Sequence, residues 1–156
     1  MASVQPLDWR VILTRGAVAG LIGAVLIDAF LYVATLMPQH TAITGMWQFI
    51  ASTVIGKAAF ANPNTAWLGL FMHLIISIAW GVAFAYVAQT RPNVPAHPYV
   101  SGIVYGIIVM ILMQIVTLAA NVPAALTVPA LTAALIAHTL FFGLPVSLYV
   151  ARAMRV

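Results

Sequence analysis

Four side chains in this sequence sit where chemistry is expensive: Asp28, His73, Gln114 and His138. Each interrupts a long apolar run. The clearest case is Trp67 to Ala88, WLGLFMHLIISIAWGVAFAYVA, which holds no formal charge and places His73 about two turns inside. An ionisable group at that depth is costly unless it faces protein, water or a ligand. Asp and His are the usual members of intramembrane proton relays, because burial and mutual pairing bring their protonation into the working range. Two His on two helices are also a ligand pair for a b-type haem, and His73, His138 and Asp28 together are a ligand set for a first-row metal ion. The plainer reading is structural: four polar groups hydrogen-bond one another and fix which helices pair.

Depth supports treating the four as one set. Asp28 is nine residues from Met37, His73 seven from Ala66, Gln114 six from Ala120 and His138 eight from Ala130. At about 1.5 Å per residue they lie roughly 9–14 Å below one edge of the membrane. Their neighbours at four-residue spacing are small. Gly16, Gly20 and Ala24 precede Asp28; Gly69, Ser77 and Gly81 flank His73; Gly102 and Gly106 precede Gln114; Ala130 and Ala134 precede His138. Small residues at that spacing mark faces where helices approach closely in lipid, so the polar groups belong to packed faces. Ser77 joins the candidate site as the hydroxyl one turn from His73. In the haem reading, Gly69, Gly81 and Gly143 would leave room for the macrocycle, and its propionates would find only Lys57 at that edge.

The elements that must position these residues are membrane spans. The chain has 156 residues, 64% apolar and 5% charged, against about 25% charged in a soluble domain. Its mean hydropathy is +1.10. The apolar runs are continuous rather than alternating, which argues against a transmembrane barrel. No Cys is present, so there is no disulfide or thiolate site. The net charge of +4 is spread over loops and ends without a basic cluster, which suits lipid headgroups and not nucleic acid. Signatures of soluble enzymes are missing: no G-x-S-x-G, phosphate loop, H-E-x-x-H or carboxylate pair.

The pattern predicts an all-α integral membrane four-helix bundle in a single domain, 1–156, with helices over about 10–37, 66–89, 99–120 and 130–152. Asp8 is the expected N-cap of the first, whose apolar run is too long for a signal-peptide core. Between the first two, ITGMWQFIASTVIGKAAF is too short and mixed to span, and predicts an interfacial or re-entrant segment over about 44–60. TRPNVPAHP reads as an extended link and NVPAALTVP as the third connection. Pro145 predicts a kink in the last helix, freeing the Phe141 carbonyl. Trp9, Trp47, Trp67, Tyr86, Tyr99 and Tyr149 read as an interfacial aromatic belt, and His40 and His97 as loop residues. Arg10, Arg15, Arg91, Arg152 and Arg155 against Lys57 predict both termini in the cytoplasm.

Two halves resemble each other. Gly16, Gly20 and Asp28 match Gly102, Gly106 and Gln114 in spacing, and MHLIISIAWGVAFAYVA aligns with AHTLFFGLPVSLYVARA on His73 and His138. Helices 1 and 3 run the same way, so the duplication is a parallel repeat of two helical hairpins.

The stretches MHLIISIAWGVAFAYVAQTRP, SGIVYGIIVMILMQIVTLA and LIAHTLFFGLPVSLYVAR resemble the YagU-type bacterial inner-membrane proteins, over about residues 66–152. The shared features are a His followed by a Ser and a Gly-rich aromatic run, a G-x-x-x-G helix, then a His in the last helix. They pick out His73, Ser77, Gly102, Gly106 and His138. Where that family's third helix carries a His, this chain has Gln114. The resemblance implies the bacterial inner (cytoplasmic) membrane and a link to acid resistance, but no reaction. The combined expectation is a small, non-enzymatic multi-pass protein. It is either an accessory subunit packed among other membrane subunits or copies of itself, or a handler of protons or small solutes through the polar ring. The alternative is a His73/His138-ligated haem b or metal subunit of an electron-transfer complex.

Overall fold

The computed structural model describes residues 7–122 and 127–154. Four helical spans dominate it: Trp9–Gln39, Thr65–Thr90, Pro98–Ala119 and Val128–Ala153. The shortest has 22 residues, about 33 Å of helix against a bilayer core of about 30 Å. The chain is a multi-pass membrane protein. Among the described residues there is no strand.

Helix α1 (Trp9–Leu31) starts where the Asp8 side chain accepts a hydrogen bond from the Val11 N–H at 3.0 Å. Its first span continues through a wide π-helical turn, Tyr32–Leu36, and a tight turn, Met37–Gln39, that contains Pro38. Helix α2 (Ile43–Ile55) follows and stops at Gly56, whose φ of +62° suits a residue without Cβ. Helix α3 (Thr65–Thr90) is the unbroken second span. The proline-rich link after it is not extended: Asn93–Ala96 forms one helical turn, α4. Pro95 falls in a first turn, where a missing N–H costs nothing. Helix α5 (Pro98–Ala119) is the third span, again with proline in its first turn. The fourth span consists of α6 (Val128–Ile136), a π-helical segment Ala137–Gly143, and α7 (Leu144–Ala153). Both wide segments stand just before a proline, Pro38 or Pro145. Proline lacks the N–H and crowds the carbonyl one turn back, and a wider turn relieves that clash. Of the third connection, residues 123–126 lie outside the described residues, as does Arg155.

Glycines set the packing. A Cβ on Gly16 would lie 2.5 Å from Val82 Cα, and one on Gly81 would lie 2.5 Å from the Gly20 nitrogen. So α1 and α3 touch backbone to backbone. The second hairpin repeats this contact: a Cβ on Gly102 would lie 2.8 Å from Leu144 Cα, and one on Gly143 would lie 2.7 Å from the Gly106 nitrogen. The two hairpins meet through α1 and the fourth span, where Phe30 stacks on Phe141 at 4.3 Å and Gly23 faces the Phe142 ring. Helices α3 and α5 meet through side chains: the Tyr105 hydroxyl donates to the Trp80 carbonyl, and Phe84 packs edge-on against Tyr105. Ile12, Val146 and Val150 are fully buried, towards the end of the bundle away from α2. Large apolar residues such as Val25, Phe71, Ile75, Val104 and Ile115 face outward, as expected where lipid is the solvent.

These contacts correct the register of the repeat. One turn beyond the matched Gly81 and Gly143, Gly20 faces the Ser77 carbonyl and Gly106 faces the His138 carbonyl. Ser77 to Gly81 is four residues, whereas His138 to Gly143 is five. The π-helical turn takes up the extra residue. His138 is therefore the positional counterpart of Ser77, and the counterpart of His73 is Ala134. Aligning histidine on histidine misses the inserted residue.

Candidate intramembrane site

Asp28 comes from the last turn of α1, on the stripe that begins with Gly16 and Gly20. His73 comes from the third turn of α3, and its Nε2 lies 3.0 Å from Asp28 Oδ1. Both side chains are 15% exposed, so the pair is largely desolvated. The ring N–H is not directed at that oxygen, however. Oδ1 is buried with no hydrogen bond, while Nε2 also lies 3.5 Å from the Ala24 carbonyl. The second carboxylate oxygen accepts a hydrogen bond from the Trp47 indole N–H at 3.2 Å.

Trp47 is the residue that sequence reasoning missed. It does not belong to an interfacial belt; it reaches down from α2 to the buried acid. Gly69 makes this possible, because a Cβ there would collide with the Trp47 carbonyl. Gly69 thus seats α2 on α3, not one span on another. The next residue of α2, Gln48, ties the helix to the segment that follows it: its amide donates to the Ala59 carbonyl at 3.0 Å and the Asn62 carbonyl at 3.2 Å. The remaining aromatics vary: Trp67 and Tyr99 are exposed near helix ends, Trp9 stacks on Tyr86, and Tyr149 packs partly against the core.

His138 contributes from the fourth span. Its Nδ1 lies 2.8 Å from the Ala134 carbonyl. A carbonyl only accepts, so this contact assigns the ring proton to Nδ1 and leaves Nε2 as an acceptor when the ring is neutral. Gln114 comes from α5. Among the described residues its side-chain amide has no hydrogen-bond partner, although its backbone carbonyl accepts from the Thr117 hydroxyl at 2.8 Å.

Asp28, His73, Gln114 and His138 all line one cavity of about 260 Å³. Each span contributes one of them. The rest of the wall is largely apolar, with Ile27, Ile76 and Met113 below and Met46, Phe49 and Ile50 of α2 above. A smaller void of about 50 Å³ continues beneath, between His73, Ser77, Trp80 and His138. Ser77 is 4% exposed and lines only this lower void, one turn below the cavity. Beside the cavity, an open groove of about 920 Å³ runs between the ends of the first and fourth spans, sharing Leu31, Ala134 and His138 with it.

A protein-family model spanning residues 11–155 matches this chain. The chain belongs to that family, DUF6789, a family of unknown function. The match runs through all four spans, α2 and every polar residue of the cavity. No curated protein and no solved structure matches the chain, and nothing in these comparisons links it to YagU-type proteins.

The metal and haem readings fare poorly against the geometry. Among the described residues no three His, Asp or Glu side chains are grouped so as to hold a metal ion. Of the histidines, the His73 Nε2 lies 3.0 Å from the Asp28 carboxylate. The space expected for a macrocycle is also filled: Gly69 is occupied by the α2 backbone, Gly81 by α1 and Gly143 by α5. In each case the missing side chain lets another helix in, and leaves no room for a porphyrin.

Proposed function

We propose that this protein handles protons or a small solute within the membrane, through the cavity formed by Asp28, His73, Gln114 and His138. One observation carries the reading: four polar side chains, one from each span, converge on a single small cavity, and a separate helix covers it. A purely structural role for these groups would favour mutual hydrogen bonding. Instead, only Asp28 and His73 lie close to each other; among the described residues the Gln114 amide has no partner, and the His138 ring bonds its own helix.

The direction of access follows from the surroundings. The open groove meets the cavity near His138. On the other side, below the 50 Å³ void, the core closes with Val146 and Val150. The cavity is thus entered from the α2 end. Arg10, Arg15, Arg91 and Arg152 all lie at the opposite end of the spans, and Lys57 is the basic residue beside α2. On the positive-inside rule the α2 end faces away from the cytoplasm.

The test is reconstitution into vesicles carrying an internal pH indicator. An imposed pH gradient should collapse faster with the wild-type protein than with Asp28→Asn. Equal rates for wild type, Asp28→Asn and protein-free vesicles would overturn proton handling.

A further inference from the structure

We infer that the solute taken by this cavity is a small protonated amine with an apolar body, and that it exchanges for the proton of His73. The inference rests on the reading of the cavity as a solute site and names the class of solute.

The polar atoms available to a ligand are mainly acceptors. Asp28 is the carboxylate of the membrane interior; the one other acidic residue, Asp8, caps α1 at the opposite end. Its Oδ1 holds no directed hydrogen bond. His138 offers Nε2 once Nδ1 is committed to the Ala134 carbonyl, and Gln114 offers an amide oxygen. Among the described residues no Lys or Arg lines the cavity or the groove, and Asp28 disfavours an anion there. An ammonium head brings three rotatable donors and one positive charge to this acceptor set. The rest of the wall fits an apolar tail, and the methionines Met46 and Met113 with Phe49 suit a soft, hydrophobic cation.

The coupling follows from charge. The titratable groups facing Asp28 are His73 from α3 and His138 from the fourth span; α2 and α5 contribute the uncharged Trp47 and Gln114. In the resting site the Asp28 carboxyl oxygen and the His73 ring nitrogen lie 3.0 Å apart. When the amine enters, the His73 ring releases its proton to water and the ammonium takes its place beside Asp28. One cation replaces another, and the carboxylate is never left alone in a medium where that would be costly. The Oδ1 atom is covered by the His73 ring at 3.0 Å, and the void below, lined by His73, gives the ring space to withdraw.

The experiment uses purified full-length protein in detergent and three isosteric probes: n-butylammonium, n-butanol and n-butyrate. Binding is measured by calorimetry in two buffers of different ionisation enthalpy, which counts protons released. Ile50→Trp, which fills the cavity from α2, gives the background. The expected result is binding of n-butylammonium alone, with proton release. Asp28→Asn should weaken it by about tenfold or more, as loss of a charge-assisted contact requires. His73→Gln should bind without releasing a proton. Thermal unfolding confirms that each variant is folded; if Asp28→Asn is not, the His73→Gln proton count decides alone. Binding of n-butanol or n-butyrate that Ile50→Trp removes would overturn the amine class and keep the cavity as a solute site. Binding of n-butylammonium without proton release would overturn the exchange. If no probe binds and the vesicle assay also shows no flux, the solute-site reading falls with it.

Discussion

Replacing Gly81 by alanine tests the architecture that holds the site. A Cβ at this position would lie 2.5 Å from the Gly20 nitrogen and 2.8 Å from Gly20 Cα, and closer still to the Gly16 carbonyl oxygen. Ordinary contact between heavy atoms is about 3.5–4.0 Å. The neighbours are backbone, so no side chain can swing aside; α1 and α3 must separate by roughly 1 Å. A gap of that size forfeits about a quarter to a half of each dispersion contact along the seam. Overpacking of this kind costs about 1–3 kcal/mol, against about 0.5–1 kcal/mol gained when alanine replaces glycine in a helix. Gly45 supplies the control. Its nearest neighbour to a new Cβ is Thr41 Cγ2 at 3.9 Å, so Gly45→Ala keeps the helix gain without the clash. The difference between the two variants isolates the packing cost, about 1–3 kcal/mol. Unfolding followed by circular dichroism in one detergent measures it. Gly143→Ala, the counterpart in the second hairpin, should behave like Gly81→Ala. Equal stability of Gly81→Ala and Gly45→Ala would refute the backbone contact.

Three further outcomes follow from the site. Trp47→Phe removes the donor to Asp28 Oδ2 and should cost about 1–3 kcal/mol; hydrogen exchange should accelerate across 43–55 first, because this bond fastens α2 over the cavity. Gln114→Leu should leave stability unchanged or raise it, since its amide has no partner to lose among the described residues, yet it should reduce flux in the vesicle assay. His73→Ala should destabilise the protein more than His138→Ala, read as the shift in unfolding midpoint, because the first strands a buried carboxylate and the second removes a ring bonded to its own helix.

The spans were legible because lipid imposes a simple rule. Every backbone polar group must be satisfied within the segment, so length and continuous hydropathy define each helix. The Asp8 cap and the interfacial segment after the first span follow from equally local signals. What was not legible depends on contacts between distant residues. Trp47 carries no periodic or motif signal that distinguishes it from Trp67, and only the seat provided by Gly69 brings α2 close enough to reach Asp28. The convergence of the four polar side chains could be anticipated from depth counts, because rise per residue is fixed in a helix. Their pairing could not, because it depends on which way each ring turns.

The extra residue in the π-helical turn changes what the duplication means for the site. With Asp28 matched to Gln114 and His73 matched to Ala134, the acid–histidine pair of the first hairpin corresponds to an uncharged pair in the second. His138 is then not a repeat of His73. It stands where the first hairpin has Ser77, one turn from Ala134, and it bonds the Ala134 carbonyl. The two histidines therefore differ in partner as well as in position. A site with two equivalent histidines would suit symmetric ligation of one cofactor between the hairpins. A site with one acid–histidine pair facing uncharged acceptors suits a cation held against the first hairpin.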